Sequence, residues 1–319
     1  MAIQFKPTGL NQRRRRCNAL FLIKFRQPER FFAISLQRLS ALINCFAIYW
    51  IATIFSTKKS RNDTRFLILS RYHLTMIDTH CHLTEFPPFV LPEILAKAEQ
   101  CGVRRLISVS ASFDDWQKNQ EIAKRYPQVI PAFGIHPLFQ KNLPNDWLDI
   151  LCTCLKAFPQ AIVGEIGLDF YHSKDAQQIP LFAQQLEIAQ AFSRPVSIHS
   201  VKAHNECIAL IKKQKFNCGG FVHGFSGSLQ MANDWIKLGF KIGIGTVLLK
   251  HNSRLRSVLP QLPDNAWVME SDSPFMLPEN TPAIISQIAQ IAAQLSKKSM
   301  TQMTQQTTQN AIRCILLKY

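Results

Sequence analysis

Two histidines separated by one residue, His80 and His82, follow an aspartate and a short apolar run in Ile77-Asp78-Thr79-His80-Cys81-His82. Alternate side chains of a β-strand share a face, so the two imidazoles would project together and could reach one cation. Further ligand types recur at intervals: Glu165 in Val163-Gly164-Glu165-Ile166-Gly167-Leu168-Asp169, His199 after Pro195-Val196-Ser197-Ile198, His223 after Gly220-Phe221-Val222, and Asp272 after Trp267-Val268-Met269-Glu270-Ser271. Each stands at or just past the C-terminal end of an apolar run.

Four imidazoles and two carboxylates form a nitrogen and oxygen donor set suited to zinc, manganese or a similar divalent ion rather than calcium. Six ligands suit two ions if one carboxylate bridges them. Glu165 is the expected bridge, because its strand falls between the two histidine groups. Two such ions about 3.5–4 Å apart polarise a phosphoryl or acyl oxygen and activate a water. Asp272 could both bind an ion and take that water's proton. Taken singly, each residue has a plainer reading. A histidine at a strand end is commonly just a hydrogen-bonded group, and Asp272 before Ser273-Pro274 could initiate a turn. Glu165 between apolar residues is harder to explain that way, since a carboxylate buried on a strand is costly without a partner. Six ligand types at successive strand ends favour the metal site. No Ser-His-Asp or Cys-His nucleophile pattern competes with it.

The elements that must position these residues follow from the alternation of short Val-, Ile- and Phe-rich runs with longer helical stretches, the pattern of repeated βα units. Strands are expected near 76–80, 103–109, 129–134, 161–165, 195–199, 219–223, 240–244 and 266–271. Helices are expected near 91–101, 114–126, 176–192, 203–214 and 229–238, with a C-terminal pair near 282–295 and 300–316. Eight strands, with chemistry at their C-terminal ends, indicate an α/β fold of the TIM-type (β/α)8 barrel class.

Composition divides the chain. Fourteen of its 37 Lys and Arg, but only two of its 21 acidic residues, fall within residues 1–75, a net charge of +12 there against +4 in the remainder. The basic pI of the whole is therefore no evidence for a nucleic-acid groove on the barrel, and +4 neither demands nor excludes a phosphate-bearing substrate. Nine cysteines without paired spacing imply reduced thiols and a cytoplasmic protein, with Cys152 and Cys154 ordinary helix residues. The extension 1–75 contains four consecutive arginines, Arg13 to Arg16, and an uncharged apolar run over 39–55. That run just reaches the roughly 17-residue lower limit for a membrane helix, and the basic flank before it would suit a cytoplasmic side. Either it is a membrane anchor, or translation starts at Met76 and 1–75 is a mis-called start. The second is favoured because no barrel element needs the extension.

The motifs, in order, resemble those of the TatD family of metal-dependent hydrolases, in the amidohydrolase-like superfamily, and especially its YjjV-type branch. The blocks are those quoted above together with Gly134-Ile135-His136-Pro137, Ile198-His199-Ser200, Val222-His223-Gly224-Phe225-Ser226-Gly227-Ser228 and Glu270-Ser271-Asp272-Ser273-Pro274. They cover nearly all of 76–319. The resemblance implies a distorted TIM barrel that cleaves phosphodiester bonds in DNA, as a 3′ to 5′ deoxyribonuclease. It implies that His80, His82, Glu165 and Asp272 bind one divalent ion (zinc, manganese or magnesium), and that Glu165, His199 and His223 bind a second. His136 would hold a substrate phosphate or fix the loop before Pro137. Asp169 and Ser200 would support the ligands or hold their loops, and Lys202 and His204 begin the next helix as candidate substrate contacts, His204 either facing the site or only covering the helix surface.

The chain departs from the family pattern at Val201-Lys202, where Arg is usual, at Ser271 for Thr, at Gly224 for Cys, and in a shorter loop over 275–282. A lysine is a point charge where a guanidinium would grip phosphate at two places. Two further functions stay open: the same fold acting on a small phosphoester or a C–N or carboxylic ester bond, and a membrane-tethered module that binds metal without catalysis. The expected partner is DNA or another phosphoester, with no obligate protein partner and with a membrane only through 39–55.

Overall fold

The computed structural model describes residues 75–316, together with a two-stranded antiparallel pair, Phe21–Lys24 with Phe31–Ile34, in which Phe21 lies opposite Ile34. That pair belongs to a unit over Met1–Arg65, and all other described residues belong to a second unit over Phe66–Tyr319. The arginine cluster and the apolar run 39–55, on which both readings of the extension rest, lie outside the described residues. No described helix is long and apolar enough to cross a membrane.

Within the second unit the strands are β1 (Met76–Cys81), β2 (Val103–Val109), β3 (Val129–Phe133), β4 (Ile162–Asp169), β5 (Val196–Val201), β6 (Gly220–Val222), β7 (Phe240–Ile244) and β8 (Trp267–Met269). They form one parallel sheet in sequence order, each paired with the next. The ladder does not continue from β8 to β1, and side chains and the loop after β8 bridge that seam instead. Thr79 Oγ1 donates to Met269 O at 2.9 Å, Ser271 N to Asp78 Oδ1 at 2.9 Å, Asp272 N to His80 O at 2.9 Å, and His82 N to Ser273 O at 2.7 Å. The result is a nearly closed TIM-type barrel.

The helices are α1 (Leu91–Gln100), α2 (Asp115–Arg125), α3 (Trp147–Ala157), α4 (Gln178–Ala191), α5 (His204–Lys213), α6 (Leu229–Lys237), a single turn α7 (Leu255–Val258), α8 (Ile285–Leu295) and α9 (Met300–Leu316). The stretch 147–157, for which no range was expected although Cys152 and Cys154 were read as helix residues, buries Trp147, Leu151, Cys154 and Leu155. That i, i+4, i+7, i+8 spacing is the apolar stripe of a helix lying on a sheet. Cys152 and Cys154 both lie on it as free thiols. After β7 no full helix follows, only 3-10 turns and α7.

Two apolar layers hold the unit together. The larger packs the outer strand faces against the helices and contains the fully buried Trp116, Trp235 and Trp267. The smaller fills the barrel: Ile77, Ile107, Ile130, Ile162, Phe221 and Val268 meet Ala311, Ile312, Cys314 and Ile315 of α9. Removing each such side chain from water contributes about 1.5–3 kcal/mol. The barrel therefore has an aliphatic floor, and its polar residues gather at the opposite rim.

Candidate metal centre

At that rim β1 presents His80 and then His82. Their Nε2 atoms lie 3.3 Å apart. His80 Nε2 is 3.4 Å from Glu165 Oε2 and 3.7 Å from Asp272 Oδ1, while His82 Nε2 is 3.5 Å and 3.4 Å from the same two atoms. Ligands held tetrahedrally at about 2.0–2.1 Å from a zinc-sized ion stand roughly 3.3–3.4 Å from one another. Four donors at 3.3–3.7 Å, two nitrogens and two oxygens, thus frame a space that fits one divalent ion.

Glu165 turns its other oxygen to a second group. Oε1 lies 2.6 Å from His223 Nε2, 2.8 Å from His199 Nδ1 and 3.7 Å from His136 Nε2, and His199 Nδ1 is 3.0 Å from His223 Nε2. The shorter separations are those of charge-assisted hydrogen bonds, yet the donor set again suits a divalent ion. The sequence places Glu165 here through a break in strand register. The β4–β5 ladder slips between Val163 and Ile166, freeing Glu165 N to donate to Ser110 O at 3.0 Å. On the neighbouring strand side, a Cβ on Gly134 would sit 2.7 Å from the Gly164 carbonyl carbon, so only glycine permits this approach.

The outer nitrogens of two of these histidines are also held. His80 Nδ1 is 2.9 Å from Ser197 Oγ, and His199 Nε2 is 3.1 Å from Asp169 Oδ2. Asp169 in turn accepts from Tyr171 N and His172 N. Such outer bonds fix the tautomer and the ring orientation that ligation needs. Ser200 bonds none of the six ligands.

Electrostatics match this arrangement. Burial would raise the Glu165 carboxyl, but the imidazoles of His223, His136 and His80 hold it well below its ordinary value. Burial opposes a proton on His223, but Glu165 against it outweighs burial and lifts it to about 10. Burial lowers His80 to about 4 and His136 to about 3. Asp272, for which burial is outweighed by a hydrogen bond from His82 and by the nearby imidazoles, is held below the usual carboxylate range. It adopts the left-handed backbone, φ 52°, a strained conformation of the kind that gathers at functional sites.

All six expected ligands are thus brought together. His136 joins them, its Nδ1 accepting from Leu138 N at 3.2 Å. Lys202 is exposed, in the left-handed region at φ 53°, and makes no ion pair among the described residues. His204 is not part of the cluster. It turns to α6, with Nε2 3.5 Å from Asp234 and its ring edge-on to Trp235. The sequence reading missed Ser197, Asp78 and Glu270. Asp78 and Ser197 each lie two residues before a histidine of the cluster on the same strand, the spacing that shares a strand face, whereas Glu270 lies past the end of β8.

Residues 77–316 match the TatD related DNase family. The chain is 36% identical over 208 residues to the uncharacterized metal-dependent hydrolase YjjV of Escherichia coli K12, covering 63% of this chain and 80% of that one. It is 30% identical over 214 residues to the zebrafish (Danio rerio) protein named "Putative deoxyribonuclease tatdn3", covering 62% and 79%. The crystal structure of E. coli YjjV, a TatD homologue, superposes with a TM-score of 0.70 at 29% identity over 77% of this chain and all of that one. With its family-wide match and a rim built for divalent metal, this chain belongs to the TatD family of metal-dependent hydrolases.

Proposed function

We propose that this protein hydrolyses phosphodiester bonds in DNA, as a 3′ to 5′ deoxyribonuclease with two divalent ions bridged by Glu165. The observation that carries the reading is the division of Glu165: Oε2 faces His80, His82 and Asp272, and Oε1 faces His199 and His223. Two ions held there would supply Lewis acidity toward a phosphoryl oxygen and a nucleophilic water at neutral pH. Asp272, ionised at neutral pH, accepts the proton that the attacking water gives up. Because His136 Nδ1 accepts a backbone N–H, its neutral ring carries the proton on Nε2. That N–H faces the centre and can donate to a phosphoryl oxygen. Lys202, which makes no ion pair among the described residues, offers its ammonium to a neighbouring phosphate.

Two exposed rings favour a nucleic acid over a small phosphoester or a C–N substrate. Phe275, 46% exposed, stands edge-on to His82 with ring centroids 5.0 Å apart. Phe139, 51% exposed, lies 5.9 Å from His136. Bases of a single strand stack on such rings. The family description and the name of the zebrafish relative support the same substrate.

The test is degradation of single-stranded DNA by the purified protein with magnesium, manganese or zinc, beside a His80→Ala/His82→Ala control. Cleavage lost in the control supports the reading. Metal binding without cleavage of any DNA refutes it and points to small phosphoesters or C–N bonds. Unaltered cleavage in the control would refute the metal mechanism.

A further inference from the structure

Asp272 lies beyond Met269, the last residue of β8, so the sheet ladder does not aim its carboxylate. Its backbone is left-handed at φ 52°, a conformation that a residue other than glycine keeps only where its surroundings dictate it. One buried side chain lies behind both neighbours of Asp272. Asp78 on β1, 0% exposed, accepts Ser271 N on Oδ1 at 2.9 Å and Ser271 Oγ on Oδ2 at 2.6 Å. A hydroxyl has a single proton, and Ser271 gives it to Asp78. Ser271 Oγ is thereby left as an acceptor, which Ser273 N uses at 3.1 Å. The residue before Asp272 and the residue after it are thus tied to one carboxylate.

The same carboxylate reaches across the ion space. Asp78 Oδ1 also accepts His80 N at 3.3 Å, and Asp272 N donates to His80 O at 2.9 Å. Asn280 Nδ2 donates to Ser271 O at 2.9 Å and to Phe275 O at 2.7 Å, which secures the loop from its far side. Strands β1 and β8 share no ladder, so these bonds, rather than sheet register, set Asp272 against His80 and His82.

We infer that Asp78 is a positioning residue for Asp272: gripping Ser271 by its backbone N–H and its hydroxyl, it holds Asp272 in the left-handed backbone that turns Oδ1 toward His82 and His80, at 3.4 Å and 3.7 Å. The inference rests on the reading of Asp272 as a ligand. It gives the seam between β1 and β8 a part in building the ion space as well as in closing the barrel.

The test is calorimetric titration of the full chain with Mn²⁺ alone, comparing Asp78→Ala, Ser271→Ala, Ser271→Thr, Asp272→Ala and the Ser271→Ala/Asp272→Ala double variant. Ser271→Ala keeps both backbone bonds to Asp78 Oδ1 and removes only the hydroxyl that links Asp78 to Ser273. Asp78→Ala and Ser271→Ala should weaken the Asp272-dependent binding of Mn²⁺ by about 10–100-fold. Ser271→Thr keeps a hydroxyl and should recover most of that loss. With Asp272 already gone, Ser271→Ala should change nothing further. If Asp78→Ala does not fold, the two Ser271 variants carry the same comparison. Unaltered affinity in Ser271→Ala, or an equal loss in the Asp272→Ala background, overturns the inference. If Asp272→Ala leaves Mn²⁺ binding intact, the reading of Asp272 as a ligand fails and the inference falls with it.

Discussion

Replacing Asp169 with alanine should lower both stability and metal affinity, and the two losses can be measured apart. The carboxylate is 1% exposed and accepts from Tyr171 N at 3.0 Å, His172 N at 2.9 Å, His172 Nδ1 at 2.8 Å and His199 Nε2 at 3.1 Å. The His172 side chain is 58% exposed, so its ion pair is screened and contributes about 0–1 kcal/mol. Each backbone N–H on a charged acceptor contributes about 1.5 kcal/mol, and leaving the buried His199 Nε2–H without an acceptor costs about 1–3 kcal/mol. Alanine also removes the cost of burying a carboxylate. The metal-free variant should therefore lose about 2–4 kcal/mol in urea unfolding, at an unchanged slope. A 10–100-fold fall in metal affinity would add about 1.4–2.7 kcal/mol to the loss at saturating metal. Burial opposes ionisation of Asp169, but hydrogen bonds from His199 and His172 outweigh it and hold its carboxyl well below the usual range. Its contribution is thus complete above the ordinary aspartate value, roughly pH 4, and fades as pH falls. The variant should show a flatter acid limb. Metal-free stability within about 0.5 kcal/mol of the unaltered chain, with unchanged metal affinity, would refute this account of Asp169, since changes of that size are the surface norm.

Three other outcomes follow from the same geometry. Because Glu165 keeps a proton on His223 up to about pH 10, an incoming ion must displace it, so calorimetric Mn²⁺ affinity should rise roughly tenfold per pH unit from 7 to 9. The His223–Glu165 contribution to metal-free stability is complete below the ordinary histidine value, roughly pH 6.5, and is lost as pH rises through 10; a pH-independent affinity would contradict the pairing. Gly167→Ala would place a Cβ 1.9 Å from the His199 carbonyl oxygen at a φ of 142°, so it should cost more than about 4 kcal/mol, read as loss of the cooperative thermal transition. Phe139→Ala and Phe275→Ala should each raise KM for a single-stranded oligonucleotide about tenfold while leaving KM for an abasic strand unchanged, and equal effects on both substrates would argue against stacking.

Much of this protein was legible in its sequence. Parallel strands buried on both faces read as short continuous apolar runs, so Val129–Phe133 and Trp267–Met269 stand out between amphipathic stretches. The gathering of the six candidate donor side chains follows because a barrel brings its strand ends to one rim. Helix α3, expected only through Cys152 and Cys154, has an equally regular stripe in Trp147, Leu151, Cys154 and Leu155, from which its range could have been read. Ser197 and Asp78 also carried a signal, each two residues before a histidine of the cluster on the same strand.

What remained was decided only in three dimensions. His204 follows His199 by five residues, yet the α5 turn directs it to Asp234 rather than the centre. The division of Glu165 between two donor groups depends on the register slip at Val163 and Ile166, which no local pattern encodes. The seam between β1 and β8 depends on Asp78 meeting Ser271 across 193 positions of chain. The sequence by itself determined which donors exist and that they share a rim, because strand periodicity is local. The tertiary structure decided which oxygen faces which imidazole, because that depends on contacts between strands far apart in the chain.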